Sequence, residues 1–273
     1  MKNITMIAKK WCEIDPEPDN RKIISDLIDN GDDTELKKLF DSRLQFGTAG
    51  LRGVVGPGPN RMNTLVVKQT TKGLANYLIA QKIELNNGII IGFDGRTNSK
   101  QYAFDATSVL IDMGIKVHLG KDCLPTPVCA FLVNHFKAAA AIVITASHNP
   151  PEYNGYKVYY NNGAQIIPPQ DSGIAEAIDR VAKTGNIDCI KIDDNFSHDL
   201  LHYIDDKSIT EYINGAMELR TQPSPKNCAD LSIAYTPMHG VGAKTVGKVM
   251  KKAGYLDFHI VSCQQDPDGM FPT

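Results

Sequence analysis

Three polar side chains, two of them suited to nucleophilic or acid–base chemistry, follow one apolar run of the sequence. Residues 138–146 are small or apolar, a run long enough for a strand buried on both faces, and the run stops at Ser147, His148 and Asn149. Two consecutive prolines then prevent strand pairing from continuing. Open α/β sheets bind ligands at the carboxyl ends of their strands. A hydroxyl, an imidazole and an amide at this position therefore predict an active site.

A serine hydrolase is one competing interpretation, because Ser147 and His148 are neighbours. The Gly-x-Ser-x-Gly sequence around many hydrolase nucleophiles is absent. Consecutive side chains on an extended segment point to opposite faces, which would place His148 poorly to take a proton from Ser147. A strand followed by a simple turn is the other alternative, since Ser, Asn and Pro favour turns.

The sequence Thr-Ala-Ser-His-Asn-Pro at 145–150, followed by Asn-Gly-Tyr-Lys at 154–157, resembles the phosphoserine loop of the α-D-phosphohexomutases. This is the family of phosphoglucomutases and phosphomannomutases, in which the loop serine exchanges a phosphoryl group with a sugar phosphate. The resemblance implies that Ser147 is the carrier and, through its phosphate, a metal ligand. It also implies that Lys157 and His148 assist proton movement and charge balance. The substrate-binding residues it implies are Arg52, Ser147, His148, Asn149 and Lys157.

A glycine-rich segment supplies the arginine of this set. Phe-Gly-Thr-Ala-Gly-Leu-Arg-Gly at 46–53 has three glycines in eight residues, which permit tight turns and close approach of backbone N–H groups to a ligand. The segment resembles the family's N-terminal active-site loop, so Arg52 is implied to bind the phosphoryl oxygens with its fork of donors. Gly-Pro-Gly-Pro-Asn-Arg-Met-Asn at 56–63 further resembles the phosphoglucomutase 2 subgroup, which includes phosphopentomutase.

Composition narrows the class of protein. A chain of 273 residues with 42% apolar and 22% charged residues is typical of a globular protein with one complete domain and part or all of a second. A net charge of −2 gives no general attraction to nucleic acid or anionic membrane, so we expect neither as a partner. Six scattered cysteines without a Cys-x-x-Cys pair argue against zinc and disulfides and favour a reducing cytoplasm. A monomer is the working expectation.

Alternating patterns predict an α/β fold. Strands are predicted at 88–93, 115–119 and 138–146, and helices at 65–82, at 127–136 and in a segment ending at Gly114. This order predicts a mixed sheet sandwiched between helices over residues 1–206. Within its first 45 residues we expect an irregular arm with a short helix at 21–30 and a helix capped by Asp33 or Thr34. Asn-Gly at 162–163 predicts a hairpin between strands at 156–160 and 165–167, which places Lys157 at the start of the first strand.

The start of a second, similar α/β domain is predicted over residues 207–273. A helix is expected at 208–220 and a Pro-containing connection at 221–226. A βαβ unit is then expected from segments 231–235, 241–253 and 258–262. Two weaker strand patterns are expected within the acidic stretch 186–207.

Two further segments resemble family sequences and are expected to be mainly structural. Asp-Gly-Arg-Thr-Asn-Ser at 94–99 resembles a segment that shapes the region behind the family's active site. Thr-Pro-Met-His-Gly-Val-Gly at 236–242 resembles a second-domain segment. A phosphate-binding turn at a helix N-terminus is the alternative for the latter.

The last eight residues indicate where the family's metal ligands lie relative to this sequence. Asp-Pro-Asp-Gly-Met-Phe-Pro-Thr at 266–273 resembles the family sequence shortly before a loop whose three aspartates hold Mg²⁺. Asp266 and Asp268 alone lack the ligand set and rigidity of a Mg²⁺ site. We therefore expect the other metal ligands beyond Thr273 and expect that the 273-residue chain by itself does not catalyse complete mutase turnover.

The implied reaction moves a phosphoryl group between the 1-position and the 6-position of a hexose, or the 5-position of a pentose. It proceeds through phosphorylated Ser147 and a sugar bisphosphate, with Mg²⁺ as cofactor and glucose 1,6-bisphosphate as activator. The sequence leaves the choice between hexose and pentose open. The alternative is a noncatalytic phosphate-binding or regulatory remnant that retains the serine loop without the metal and sugar domains.

Overall fold

The computed structural model describes residues 4–48, 50–185, 187–219 and 228–273. Within these ranges the helices are α1 (Ile4–Ile14), α2 (Pro18–Asp29), α3 (Asp33–Phe40), α4 (Thr64–Ala80), α5 (Ser99–Asp112), α6 (Thr126–Phe136), α7 (Gln170–Ala182), α8 (Asp206–Glu218) and α9 (Ala243–Lys252). The strands are β1 (Leu51–Val54), β2 (Ile89–Phe93), β3 (Val117–Gly120), β4 (Ala140–Ile144), β5 (Tyr153–Tyr159), β6 (Leu201–Ile204), β7 (Ile233–Tyr235) and β8 (Phe258–Ile260).

Six of the described strands form one mixed sheet in the order β1-β5-β4-β2-β3-β6. Strands β4, β2, β3 and β6 run parallel, and β5 runs antiparallel to both of its neighbours, β4 and β1. The carboxyl end of β4 therefore lies near the centre of the sheet. It is flanked by β2 on one side and β5 on the other.

Helices cover both faces of this sheet, which explains why its central strands are apolar throughout. Every residue of β2 and β4 is buried. On one face Ile89 and Ile142 join a core with α4 and α5, and on the other Ile90 and Val143 pack with residues of α6 such as Leu132. A parallel strand buried on both faces gains stability from apolar residues at every position. The predicted sandwich of a mixed sheet between helices is confirmed.

The N-terminal region differs from the expected irregular arm. Helices α1 and α2 occupy most of it, and only a short connection separates them. Trp11 of α1 packs edge-on against Phe40 of α3 at 6.2 Å between ring centroids, and its indole N–H donates to Asp15 at 2.7 Å. Pro18 is compatible with α2 because it stands in the first turn, where no intrahelical N–H is needed.

The cap of α3 also lies one residue earlier than predicted. The side chain of Asp32, rather than Asp33 or Thr34, accepts a hydrogen bond from the Glu35 N–H at 3.0 Å. In α5, the predicted end is confirmed by Gly114, which takes a left-handed φ of 74° immediately after the helix.

The hairpin after β5 is present as a turn with a short return. The Tyr160 N–H donates to the Ala164 carbonyl at 2.8 Å, and Gly163 has a φ of 74°. The return pairs with β5 at a single bridge between Tyr159 and Gln165. Lys157 lies within β5, which begins at Tyr153, and not at the start of a strand.

The second unit, predicted over residues 207–273, contains the expected βαβ arrangement. Strands β7 and β8 pair in parallel, with Ala234 opposite His259, and α9 connects them. Helix α8 begins after Asp205, whose side chain accepts from the Ser208 N–H at 2.8 Å, and packs against both α6 and α9. We retain the boundary between residues 206 and 207 as a prediction.

Of the two weak strand patterns expected at 186–207, the described residues contain one strand, β6, which pairs with β3. Asn186 and the predicted connection at 221–226 lie outside the described residues. No helix in the described ranges is long and apolar enough to cross a membrane.

Candidate active site at the end of β4

Ser147 lies in an exposed loop that follows β4. Its backbone takes a left-handed conformation with a φ of 61°, and its N–H donates to the Thr145 hydroxyl at 3.0 Å. Asn149 continues the loop by donating its N–H to the Ala146 carbonyl at 3.2 Å. A left-handed non-glycine residue costs roughly 1 to 3 kcal/mol and persists only where the surroundings impose it. The loop therefore presents the serine hydroxyl to solvent in a conformation held by neighbouring groups.

The left-handed backbone of Ser147 differs from the extended conformation expected from the sequence. Because Ser147 is not extended, its side chain and that of His148 do not point to opposite faces, and the Ser147 Oγ lies 3.4 Å from the His148 Nδ1. This separation is longer than a usual hydrogen bond from a hydroxyl. His148 is thus near enough to reach the serine proton after a small adjustment of the exposed loop.

The buried side chain of Arg96 holds the serine loop through hydrogen bonds to the loop backbone. Its Nη2 donates to the carbonyls of Ser147 at 3.0 Å and Asn149 at 2.6 Å. Its Nη1 donates to the carbonyls of Pro150 at 2.8 Å and Tyr153 at 3.1 Å. One guanidinium therefore joins four backbone acceptors, and at 5% exposure it is almost completely buried. The planar fork of arginine donors makes this arrangement possible, whereas a lysine ammonium has no comparable geometry.

Asp94 orients the Arg96 side chain. One carboxylate oxygen of Asp94 lies 3.3 Å from the Arg96 Nε, and the other accepts from the Arg96 N–H at 3.0 Å and the Ser99 hydroxyl at 2.6 Å. Burial lowers the pKa of Arg96, and the charge of Asp94 opposes this effect. The Asp-Gly-Arg segment was expected to be structural. The structure adds that its arginine directly supports the backbone of Ser147, a contact that no local sequence pattern indicates.

Strand pairing brings Arg52 and Lys157 to one face of the sheet. Arg52 of β1 is opposite Gly155 of β5, and Lys157 is two residues further along β5, opposite Val143 of β4. Cross-strand partners and residues two apart share a face, so the two cations are neighbours there. Burial lowers the pKa of Lys157, the charge of Arg52 lowers it further, and Asp94 opposes both. An anion at this face would relieve the repulsion between the cations.

Glycines allow the strands beneath the loop to approach closely. A Cβ added to Gly155 would lie 2.6 Å from the Thr145 carbonyl oxygen and 2.8 Å from that of Leu51. Gly50 has a φ of 77°, and an added Cβ would overlap the Tyr156 carbonyl oxygen. The sequence suggested that the glycine-rich segment makes room for a ligand. In the structure Gly50 makes room for the neighbouring strand.

Asn149 contributes to the loop mainly through its backbone. Its side-chain Oδ1 is buried and has no hydrogen-bond partner among the described residues. Such an acceptor is available to a donor from a bound molecule or water. The sequence predicted Asn149 as a substrate-binding residue, and this position remains a prediction.

The described residues do not form a metal site by themselves. No group of three or more His, Cys, Asp or Glu side chains within the described ranges is arranged to hold a metal ion. Asp268 instead accepts from the Met270 N–H at 2.8 Å.

The fold and loop together define a class: an α/β/α domain with a polar loop at the carboxyl end of a central strand, the end at which such sheets bind ligands. Residues 43–185 match the family model described as phosphoglucomutase/phosphomannomutase, alpha/beta/alpha domain I. Residues 210–273 match alpha/beta/alpha domain II of the same family. The chain belongs to the phosphoglucomutase/phosphomannomutase family.

Relatives with curated names include mutases of pentose and of glucose phosphates. The chain is 38% identical over 273 residues to a phosphopentomutase from Homo sapiens, a match that covers 97% of this chain and 44% of the relative. It is 37% identical over 277 residues to a phosphoribomutase from Saccharomyces cerevisiae, with 96% and 44% covered. It is 30% identical over 254 residues to a phosphoglucomutase from Staphylococcus saprophyticus, with 93% and 45% covered. The chain thus spans less than half the length of these relatives.

A solved structure has the same fold. The putative phosphomannomutase from Thermus thermophilus superposes with a TM-score of 0.68 at 24% identity, covering 84% of this chain and 48% of that chain. At this level of identity the similarity establishes the fold alone.

Proposed function

We propose that this chain supplies the phosphoryl-carrying part of a phosphosugar mutase. The reaction moves a phosphoryl group between the 1-position of a sugar phosphate and the 6-position of a hexose, or the 5-position of a pentose, through phosphorylated Ser147 and a bisphosphate. The observation that carries the proposal is the exposed Ser147 hydroxyl in a clamped loop at the end of β4. The relatives named phosphopentomutase, phosphoribomutase and phosphoglucomutase support the same class of reaction.

The proposed transfer balances as a displacement at phosphorus. The Ser147 Oγ bonds to the phosphorus of a sugar bisphosphate, the bond from phosphorus to the sugar oxygen breaks, and the proton of the serine passes to that oxygen. The reverse step places the phosphoryl group on the other hydroxyl of the reoriented sugar. We assign His148 to the proton because its Nδ1 lies 3.4 Å from the serine oxygen. Apo hydrogen bonds of this kind commonly shorten when substrate binds.

Charge neutralisation is assigned to Arg52 and Lys157. Phosphoryl transfer depends mainly on positioning and on stabilising charge on the phosphoryl oxygens. The two cations share a face of the sheet, and the lowered pKa of Lys157 reflects burial and the charge of Arg52. A phosphoryl group placed between them would be stabilised by both cations. Asn149 is assigned to substrate binding through its buried, unpartnered Oδ1.

The family resemblance adds Mg²⁺ as cofactor and glucose 1,6-bisphosphate as activator. The described residues do not provide a metal site on their own, so the phosphate on Ser147 is the ligand that we assign to this chain. The named relatives include enzymes of pentose and of glucose phosphates, and both sugars remain in the proposal.

Phosphoryl uptake from glucose 1,6-bisphosphate tests the proposal. We expect intact-mass spectrometry to show one added phosphoryl group and peptide mapping to place it on Ser147. Ser147→Ala should abolish uptake. Ser197→Ala, at another exposed serine in the same unit, should leave uptake unchanged. Phosphate on a different residue would refute the assignment of Ser147. Binding of the bisphosphate without any transfer would favour the noncatalytic phosphate-binding protein instead.

A further inference from the structure

A segment of the second unit lies against the loop that carries Arg96. After β8 the chain returns to this loop, and two glycines allow the backbones to meet. A Cβ added to Gly269 would lie 2.8 Å from each of the Arg96 Cα, the Gly95 oxygen and the Thr97 nitrogen. A Cβ added to Gly95 would lie 2.7 Å from the Cβ of Pro267. Residues 266–273, here called the docking segment, therefore contact the Arg96 loop closely along its backbone.

The docking segment places an aromatic ring against the guanidinium. The Cζ of Arg96 lies 4.9 Å from the centroid of the Phe271 ring. Its Nη1 and Nη2 groups are engaged with the four loop carbonyls, and its Nε faces Asp94. A ring at this distance attracts the cation electrostatically and restricts its orientation. Phe271 therefore limits how far the guanidinium can tilt away from the carbonyls.

A strained turn holds the docking segment in place. His239 is buried with a φ of 61°, and the preceding Met238 is also left-handed with a φ of 50°. The His239 ring lies within hydrogen-bond distance of the Thr273 hydroxyl, with 2.7 Å between Nε2 and Oγ1. Its carbonyl accepts from the Asp268 N–H at 3.0 Å. The Thr-Pro-Met-His-Gly sequence thus fixes the position of the docking segment through His239.

We propose that Arg96 is a positioning residue for Ser147 and that Phe271 fixes the orientation of the Arg96 guanidinium. Through this contact the second unit controls how rigidly the serine loop holds Ser147. The consequence for the reaction rests on the proposed function, whereas the control of loop order does not. Contacts link Phe271 to Arg96, and Arg96 to the carbonyl of Ser147 itself. Loss of the ring should loosen the fork of donors and enlarge the range of positions of the serine oxygen.

Amide hydrogen exchange tests the structural part in the full chain. The variants are Phe271→Leu, which keeps an apolar side chain, and Arg96→Lys, which keeps the charge but loses the fork. The control is Met270→Leu at the exposed neighbouring position. We expect both variants to speed exchange of the Asn149 and Tyr153 amides by roughly 10-fold or more, as expected when hydrogen bonds to a charged donor are weakened. The control should not.

The strand β2 serves as an internal reference, because its buried amides report overall stability. Exchange in Ile89–Phe93 should be unchanged in Phe271→Leu. Loop exchange equal to that of the unmodified chain in both variants would overturn the proposal. If Arg96→Lys fails to fold, Phe271→Leu still decides the question.

Phosphoryl uptake tests the consequence for the reaction. We expect Phe271→Leu to lower the maximal rate of uptake on Ser147 roughly 10- to 100-fold, the range associated with misplacement of a reacting group. The bisphosphate concentration at half-maximal rate should change little, because Phe271 does not belong to the assigned substrate-binding residues. Normal uptake by Phe271→Leu would overturn the proposal. Failure of the unmodified chain to take up phosphate would count against the proposed function, while the exchange measurement would still decide the role of Arg96 in loop order.

Discussion

Replacing Gly155 with alanine should show that the serine loop depends on close packing of three strands. The new Cβ would lie 2.6 Å from the Thr145 oxygen and 2.8 Å from the Leu51 oxygen. Both are backbone atoms of neighbouring segments and cannot rotate away, so the strands must shift. Overpacking typically costs about 1 to 3 kcal/mol, and two backbone contacts indicate the upper value. For a protein of this size, about 3 kcal/mol corresponds to a decrease in Tm of about 6 to 12 °C.

Thermal and urea denaturation would measure this loss against a matched variant. Gly47→Ala is the control, because no described atom lies within 4 Å of its added Cβ and its φ is not left-handed. We expect Gly47→Ala to change the free energy of unfolding by less than about 0.5 kcal/mol. The reasoning would be refuted if Gly155→Ala and Gly47→Ala were equally stable.

The same substitution should affect the serine loop. The Thr145 N–H donates to the Gly155 carbonyl at 3.1 Å, and the Thr145 hydroxyl accepts from the Ser147 N–H at 3.0 Å. A shift of Thr145 therefore reaches Ser147 directly. At temperatures where Gly155→Ala is folded, we expect slower phosphoryl uptake than in the unmodified chain.

Two further predictions concern titration. Arg52→Met should raise the pKa of Lys157, because the charge of Arg52 lowers it. NMR titration of the Lys157 ammonium would measure the change, with Arg180→Met as the exposed control. An unchanged pKa of Lys157 in Arg52→Met would contradict the prediction. Burial raises the pKa of Asp105 above its ordinary 3.8, so the stability it contributes is present below that value and is lost as pH rises through the raised pKa. The Tm of the unmodified chain minus that of Asp105→Asn should therefore be larger at about pH 4.5 than at about pH 8, and a difference that grows with pH would contradict this assignment.

Local sequence was sufficient for the central elements of the fold. The apolar run 138–146 predicted the strand β4, because a strand covered by helices on both faces needs apolar residues at every position. Gly114 predicted the end of α5, because a left-handed residue suits that position. In both cases the signal that reveals the element lies within a few residues of the chain.

Elements stabilised by distant contacts were harder to predict. Helix α1 was expected to be irregular, but Trp11 packs on Phe40, a partner 29 positions further along the chain. The left-handed backbone of Ser147 was also missed, and with it the approach of His148 to the serine hydroxyl. The apolar residues Ile4, Ile7, Ala8 and Trp11 do follow helical spacing, so the sequence carried a signal for α1. The left-handed backbone of Ser147 has no such periodic signal.

The sequence by itself determined that Ser147 and His148 follow β4 and that Arg52 and Lys157 are the cations available to the site. Only the tertiary structure decided that Arg52 and Lys157 share a face, because that depends on the register of β1 and β5. It also decided that Arg96 supports the serine loop, whose acceptors lie 51 to 57 positions further along the chain. The targets of a long, flexible side chain depend on strand order and docking, and these are set by packing across the whole core rather than by neighbouring residues.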